Sequence, residues 1–169
     1  MKDELNKIFD YKNGCLYWKK PLSNRIKAGQ KAGTSDGKGY EQTYFMGKLH
    51  KTHRLIFAMH YGYFPKIIDH VNGIKNDNRI ENLRETTQQK NLFNSKIGKN
   101  NTSGIKGVSW NKRRKKWRAD IYVNGKQKCF GYFDDLKQAE MTICEARIKF
   151  HKEFANNGTL SSNRRQGNM

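Results

Sequence analysis

Cysteine is scarce in this chain and poorly spaced for structural use. Cys15, Cys129 and Cys144 are the three present, and no CxxC occurs. An odd, scattered set argues against a disulfide framework or a zinc knuckle and suits a reducing cytoplasm. Long apolar runs are also missing. No stretch approaches the ~18 residues of a membrane span, and the opening residues do not read as a signal peptide. Acidic residues are few: 15 Asp and Glu stand against 34 Lys and Arg, a formal charge of +19 on 169 residues. Such an excess repels itself and attracts a polyanion, DNA or RNA being the usual one. A basic membrane-surface protein would carry a long basic amphipathic helix, and none is evident. Only 35% of residues are hydrophobic, so neither half of the chain can build a large core, and bound DNA or metal would add to the stability of both.

Residues 1–50 read as short strands and turns. Tyr11–Gly14 signals a turn, Cys15–Trp18 a strand, and Gly29–Gly39 a loop. Tyr40–Phe45 and Lys48–His50 flank Met46-Gly47 as a hairpin. Thr52–Gly62 has helical periodicity, with Thr52 as the cap and Gly62 as the stop. In that helix His53 reads as structural, and His60, like His50 before it, as a packing or surface residue. Pro65 then closes the connection to a strand, Ile67–His70.

The chain is organised around residues 68–94, IDHVNGIKNDNRIENLRETTQQKNLFN. Asp69 and His70 end the apolar run, so they stand where a strand leaves the core and face opposite ways. Val71–Asn78 is a loop crowded with Asn, Asp and Gly, and Arg79 to Asn94 is expected to be mostly helix. Asn82 follows His70 by twelve residues and Asn91 follows Asn82 by nine. Asp-His followed by Asn at those two distances, with His53-Arg54-Leu55 upstream and Asp77–Arg84 (DNRIENLR) around Asn82, resembles the HNH homing endonucleases of the His-Me finger, or ββα-metal, class. The resemblance is closest to the subgroup common in bacteriophages and their introns. Without it, the Asn-rich loop could be read simply as a run of turn formers.

Hydrolysing a phosphodiester requires a nucleophilic water, charge neutralisation at phosphorus and a stabilised leaving 3′-oxygen. A neutral imidazole can accept the water's proton near pH 7. One hard divalent cation can do the remaining work, and hard cations choose oxygen ligands. The resemblance implies His70 as general base, Asn82 as the residue that orients its imidazole, and Asp69 with the amide oxygen of Asn91 as ligands of Mg²⁺ or Mn²⁺. It also implies 5′-phosphate and 3′-hydroxyl products. No small-molecule organic cofactor is expected. Arg79 and Arg84 are either phosphate contacts or partners of Glu81 and Glu85.

Residues 95–104, rich in Ser, Asn, Gly and Lys, read as a linker. From Ile105 the pattern changes. Gly107–Trp110 is a strand and Asn111–Lys115 a basic turn. Trp117, Ala119, Ile121 and Val123 then alternate with Lys116, Arg118, Asp120 and Tyr122. Asn124-Gly125 signals a hairpin, Lys126–Phe133 returns as a third strand, and Leu136, Ala139, Ile143, Ala146 and Phe150 recur at helical spacing. The segments GVSW, WRADI, NGK and FGYF with the following Ala-rich helix resemble the AP-two (ethylene-response-factor) DNA-binding domain. That resemblance implies a sheet laid in the major groove. The face away from the helix would present Lys116, Arg118 and Tyr122, with Arg113 and Arg114 near the turn.

The expected fold is therefore α+β: a ββα-metal HNH nuclease domain over residues 1–94 (core motif 66–94), a linker over 95–104, a three-stranded antiparallel sheet with one helix over 105–156, and a flexible tail over 157–169. The expected function is sequence-directed cleavage of double-stranded DNA in the cytoplasm of a phage's host, by a monomer or a dimer. A catalytically inactive DNA-binding regulator of the same fold is the alternative, and an RNA-binding protein is a further rival.

Overall fold

The computed structural model describes residues 1–20, 23, 25–95, 97–98 and 100–158. The chain is a mixture of short helices and small antiparallel sheets and divides into two compact units, residues 1–87 and 88–169. Among the described residues no helix is long and apolar enough to cross a membrane. The expected tail lies almost wholly outside the described residues.

The first unit opens with α1 (Lys2–Ile8), a helix where only strands and turns were expected. Asp3 and Glu4 in its first turn and Lys7 in its last complement the helix dipole. Leu5 is fully buried and anchors it. Then come β1 (Phe9–Lys12) and β2 (Cys15–Trp18), joined at Asn13-Gly14, and the two-residue strands β3 (Lys31–Ala32) and β4 (Thr34–Ser35). The hairpin of β5 (Glu41–Phe45) and β6 (Lys48–Lys51) turns at Met46-Gly47, both with positive φ, as a two-residue hairpin loop demands.

Helix α2 (Thr52–Tyr61) is buried at seven of its first eight positions and stops at Gly62 with φ 86°. Thr52 does not cap it. The N-cap is Lys51, and the Thr52 hydroxyl lies 2.9 Å from that of Thr43, deep in the core. Leu55, Ile56, Phe57 and Met59 pack with Phe9, Leu16, Trp18 and Phe45 into a single cluster. Each such side chain contributes ~1.5–3 kcal/mol relative to exposure, enough to hold a small unit whose strands are mostly four residues or shorter.

β7 (Ile67–His70) pairs antiparallel with β8 (Leu83–Thr86). The helix expected from Arg79 to Asn94 is therefore three pieces: a 3-10 turn at Ile80–Asn82, β8, and the short helix α3 (Gln88–Phe93). Arg, Glu and Gln favour helix locally, but pairing overrides that preference. The β7 register sets Arg84 opposite Asp69 and Leu83 opposite His70, and Leu83 enters the core.

The second unit begins with α3. It continues through a sheet in the order β11-β10-β9, formed by β9 (Val108–Asn111), β10 (Lys116–Val123) and β11 (Lys126–Phe133). Asn124 and Gly125 both have positive φ at the β10–β11 turn. Helix α4 (Leu136–His151), capped by Asp135, lays Ala139, Ile143 and Ala146 against Val108, Ala119 and Ile121. The segment expected as a linker is folded at its end: the Ser103 hydroxyl donates to the Val108 carbonyl at 2.7 Å, and Asn101 donates to that of Ile105 at 2.9 Å.

Candidate active site

His70 ends β7, and its side chain is buried, as are those of Asp69, Asn78 and Asn82. The loop from Val71 to Arg79 is closed by backbone bonds, Gly73 N to His70 O at 2.8 Å and Val71 N to Asn82 O at 2.9 Å. Its side chains then lock it. Asn82 Oδ1 accepts from Asn72 N at 3.0 Å, while Asn82 Nδ2 donates to Asn72 Oδ1 at 3.0 Å and to Asp77 O at 2.7 Å. Asn72 Nδ2 reaches Asp77 Oδ2 at 2.6 Å. Arg79 grips the same carboxylate through Nε at 2.8 Å and Nη2 at 2.7 Å. That grip holds the Asp77 carboxyl down at about 2.

Asn82 was expected to orient the imidazole, but its amide is committed to Asn72 and Asp77. A side chain bonded to His70 is that of Asn78, whose Oδ1 lies 3.1 Å from His70 Nε2. In the sequence alone Asn78 is one turn former among several, because a buried and an exposed loop asparagine look alike in a string of letters. Burial pushes the His70 pKa below its usual value, partly offset by the Asn78 bond and by the nearby Asp69 and Asp77 charges. The ring is thus neutral at pH 7 and able to accept a proton.

Around the imidazole stands an aromatic wall. The His53 ring meets the His70 ring edge-on with centroids 5.0 Å apart, and the Tyr40 ring lies 5.5 Å from His53 and 6.0 Å from His70. Burial, with the charges around it, drives the His53 pKa down to about 3. His53 is therefore a neutral wall residue, consistent with its structural reading. Its neighbour Arg54 donates to the Pro65 carbonyl at 2.7 Å, tying α2 to the entrance of β7.

Asp69 is 5% exposed, and its Oδ2 accepts from Arg84 Nε at 2.9 Å and Nη2 at 2.7 Å. Arg84 thus pairs with Asp69 and not with Glu85, whose Oε2 accepts from the Tyr63 hydroxyl. Arg79 pairs with Asp77 first and stands 3.8 Å from Glu81. Asn91 lies exposed on α3, in the second unit. Among the described residues no three His, Cys, Asp or Glu side chains gather as a metal cluster. As a hard oxygen donor the Asp69 carboxylate suits a hard divalent ion, but its Oδ2 is already engaged by Arg84.

On the second unit the outward face of the sheet carries the expected basic residues in varied states. Lys116 pairs with Asp134 at 2.8 Å and Arg118 with Asp120 at 3.0 Å. Arg114 stands over the Tyr132 ring at 4.5 Å, Tyr122 is 57% exposed, and Arg113 is exposed.

Comparison with known proteins gives this loop and strand pair a class. Residues 50–92, from β6 through the catalytic candidates into α3, match the HNH endonuclease family model. The chain is also 36% identical over 120 residues to Protein 3.8 of Escherichia phage T7, covering 70% of this chain and 96% of that protein. It therefore belongs to the same family as Protein 3.8 and carries an HNH endonuclease domain. No solved structure matches it significantly.

Proposed function

We propose that the protein is a DNA endonuclease that hydrolyses phosphodiester bonds in duplex DNA with His70 as general base. The observation that carries this reading is the setting of His70: a buried imidazole at a strand end, held at Nε2 by Asn78, next to Asp69 and within the residues that match the HNH family model. Members of the HNH family generally use a divalent metal. Here Mg²⁺ or Mn²⁺ would be held by Asp69. The sequence resemblance, not any placement of one unit against the other, adds Asn91. When bound, the ion supplies positive charge to the scissile phosphate and the leaving oxygen.

The chain's own groups do the rest. His70 takes the proton from the attacking water, and its burial keeps it unprotonated and ready at neutral pH. Asn82, Asn72 and Asp77 hold the loop rigid, so the imidazole and the Asp69 carboxylate keep a fixed spacing. Arg79 is exposed enough to approach a phosphate while remaining gripped by Asp77. The sheet of the second unit would act as the AP-two-like DNA reader, with Arg113, Arg114, Lys116, Arg118 and Tyr122 on or beside its outward face. Phosphate contacts there position the duplex, and base contacts choose the site. The kinship with a phage protein supports action on DNA in the cytoplasm of a phage's host.

Incubating the protein with supercoiled plasmid and phage genomic DNA, in Mg²⁺ or EDTA, tests this reading. Metal-dependent nicked or linear product that His70→Ala fails to make is the expected result. Tight DNA binding with no cleavage of either substrate would replace the endonuclease with the DNA-binding regulator.

A further inference from the structure

We infer that Asn78 is the positioning residue of the site: it selects the tautomer of His70, so that the imidazole carries its hydrogen on Nε2 and its lone pair on Nδ1. The inference rests on the reading of His70 as general base and deepens it. An amide oxygen can only accept, so a bond from His70 Nε2 to Asn78 Oδ1 at 3.1 Å requires the hydrogen on Nε2. In the neutral ring the other nitrogen then holds the lone pair.

A second observation separates this role from packing. Asn78 is 1% exposed, yet its Nδ2 has no hydrogen-bond partner among the described residues. A buried amide with an unpaired donor is destabilising. Leucine, of nearly the same volume, would remove that unpaired donor but would also take this acceptor from the buried His70 Nε2. What the asparagine adds is the acceptor on the imidazole.

Its backbone is buttressed to match. The β1–β2 hairpin reaches the same segment, where the Tyr11 hydroxyl accepts from Ile80 N at 3.0 Å. A Cβ on Gly14 would come within 2.8 Å of Arg79 N and 3.0 Å of the Asn78 carbonyl carbon. The residue that orders the base is thus clamped from outside the motif.

The test uses ¹⁵N-labelled full-length protein, as wild type, Asn78→Leu and Asn78→Asp. Long-range proton–nitrogen spectra of His70 are recorded at pH 7.5 in EDTA and assigned with His70→Gln. Wild type should show the Nε2–H tautomer, Asn78→Asp should keep it, and Asn78→Leu should give a mixture. The kcat of Asn78→Leu on plasmid should fall about 10- to 100-fold with little change in KM, and that of Asn78→Asp should fall less. A wild-type ring protonated on Nδ1 overturns the inference. So does loss of the Nε2–H tautomer in Asn78→Asp, or an unaltered tautomer in Asn78→Leu. The spectra need neither metal nor DNA. A protein that cuts nothing would therefore sink the endonuclease reading and still report whether Asn78 sets the tautomer.

Discussion

Arg84 gives both Nε and Nη2 to one oxygen of Asp69, Oδ2, from the position directly opposite it across β7 and β8. The carboxylate proposed to hold a divalent ion is therefore already neutralised by a guanidinium from the neighbouring strand. Such a cation keeps a buried carboxylate ionised and in place without metal, and an arriving ion must share Asp69 with it or displace it. Removing it should expose how the two cations compete. Arg84→Ala leaves a buried charge uncompensated; full burial would make that cost ~3–5 kcal/mol, and the partial exposure of Arg84 lowers it to about 2 kcal/mol. Thermal melts of Arg84→Ala in EDTA and in 10 mM Mg²⁺, a concentration of about the usual assay order, decide the matter. Mg²⁺ should raise Tm more in Arg84→Ala than in wild type, and not in the Asp69→Ala, Arg84→Ala double variant. Equal Mg²⁺ response in all three would remove Asp69 from the metal's ligands.

Acid should destabilise the fold through its buried histidines. The His53 pKa falls from 6.5 unfolded to about 3 folded, and those of His50, His70 and His151 are also lowered, burial being the largest cause in each. A depressed pKa means that the unfolded chain binds the proton more readily. The stability that neutral His53 contributes is thus fully present above pH 6.5 and lost as pH falls toward 3, by ~1.4 kcal/mol for each unit below 6.5. Asp36 and Asp77, lowered to about 2, add their own loss only below the ordinary carboxylate value of 3.8. Between pH 6.5 and 4.5 the histidines therefore dominate. Urea denaturation should show wild-type stability dropping across that window and His53→Leu dropping less; parallel slopes would mean that His53 is protonated without penalty.

Much of this site was legible in the letters, and what was not has a common cause. The Asp69-His70 pair with Asn82 and Asn91 at fixed spacing pointed to the HNH segment, because spacing survives in one dimension. The alternation of Trp117, Ala119, Ile121 and Val123 and the stripe from Leu136 to Phe150 likewise became β10 and α4. β8 was invisible because Arg84, Glu85 and Thr86 carry no alternation of their own; they are a strand only because β7 lies beside them. The Arg84–Asp69 pair follows from that register and could not be seen before it. Asn78 was hidden for the same reason. Its distinction from Asn72 or Asn76 is burial against His70, a tertiary fact.

Gly14 should matter beyond its own turn. Its φ of 82° already disfavours any side chain, and an added Cβ would meet backbone at Arg79. Gly14→Ala is expected to lose ~1–3 kcal/mol from the strained conformation and to push the 78–79 segment away from the hairpin. The chemical denaturation midpoint and the cleavage rate should both fall, and the Nε2 hydrogen of His70 should exchange faster with solvent. A loss of stability with cleavage rate and exchange unchanged would show that the hairpin supports the core and not the loop.

The basic residues of the second unit should contribute unequally to DNA binding, because their charges are not equally available. Removing one cation that neutralises a phosphate reduces the slope of log K against log salt by about 1. Lys116 and Arg118 already hold Asp134 and Asp120. Binding DNA through them means giving up or sharing an ion pair, so each returns only part of its charge. Arg113 is exposed, and Arg114 is spread over the Tyr132 ring, which leaves its guanidinium edges to donate. Arg113→Ala and Arg114→Ala should therefore each flatten the salt dependence by close to that full amount, and Lys116→Ala by less. Asp134→Ala should steepen it by freeing Lys116. Fluorescence anisotropy with a labelled duplex from 50 to 300 mM KCl, about the range in which counterion release dominates, gives all four slopes. If Asp134→Ala leaves the slope unchanged while Lys116→Ala flattens it fully, the ion pair does not restrain the lysine. If none of the four changes matters, the sheet's outward face is not where the duplex lies.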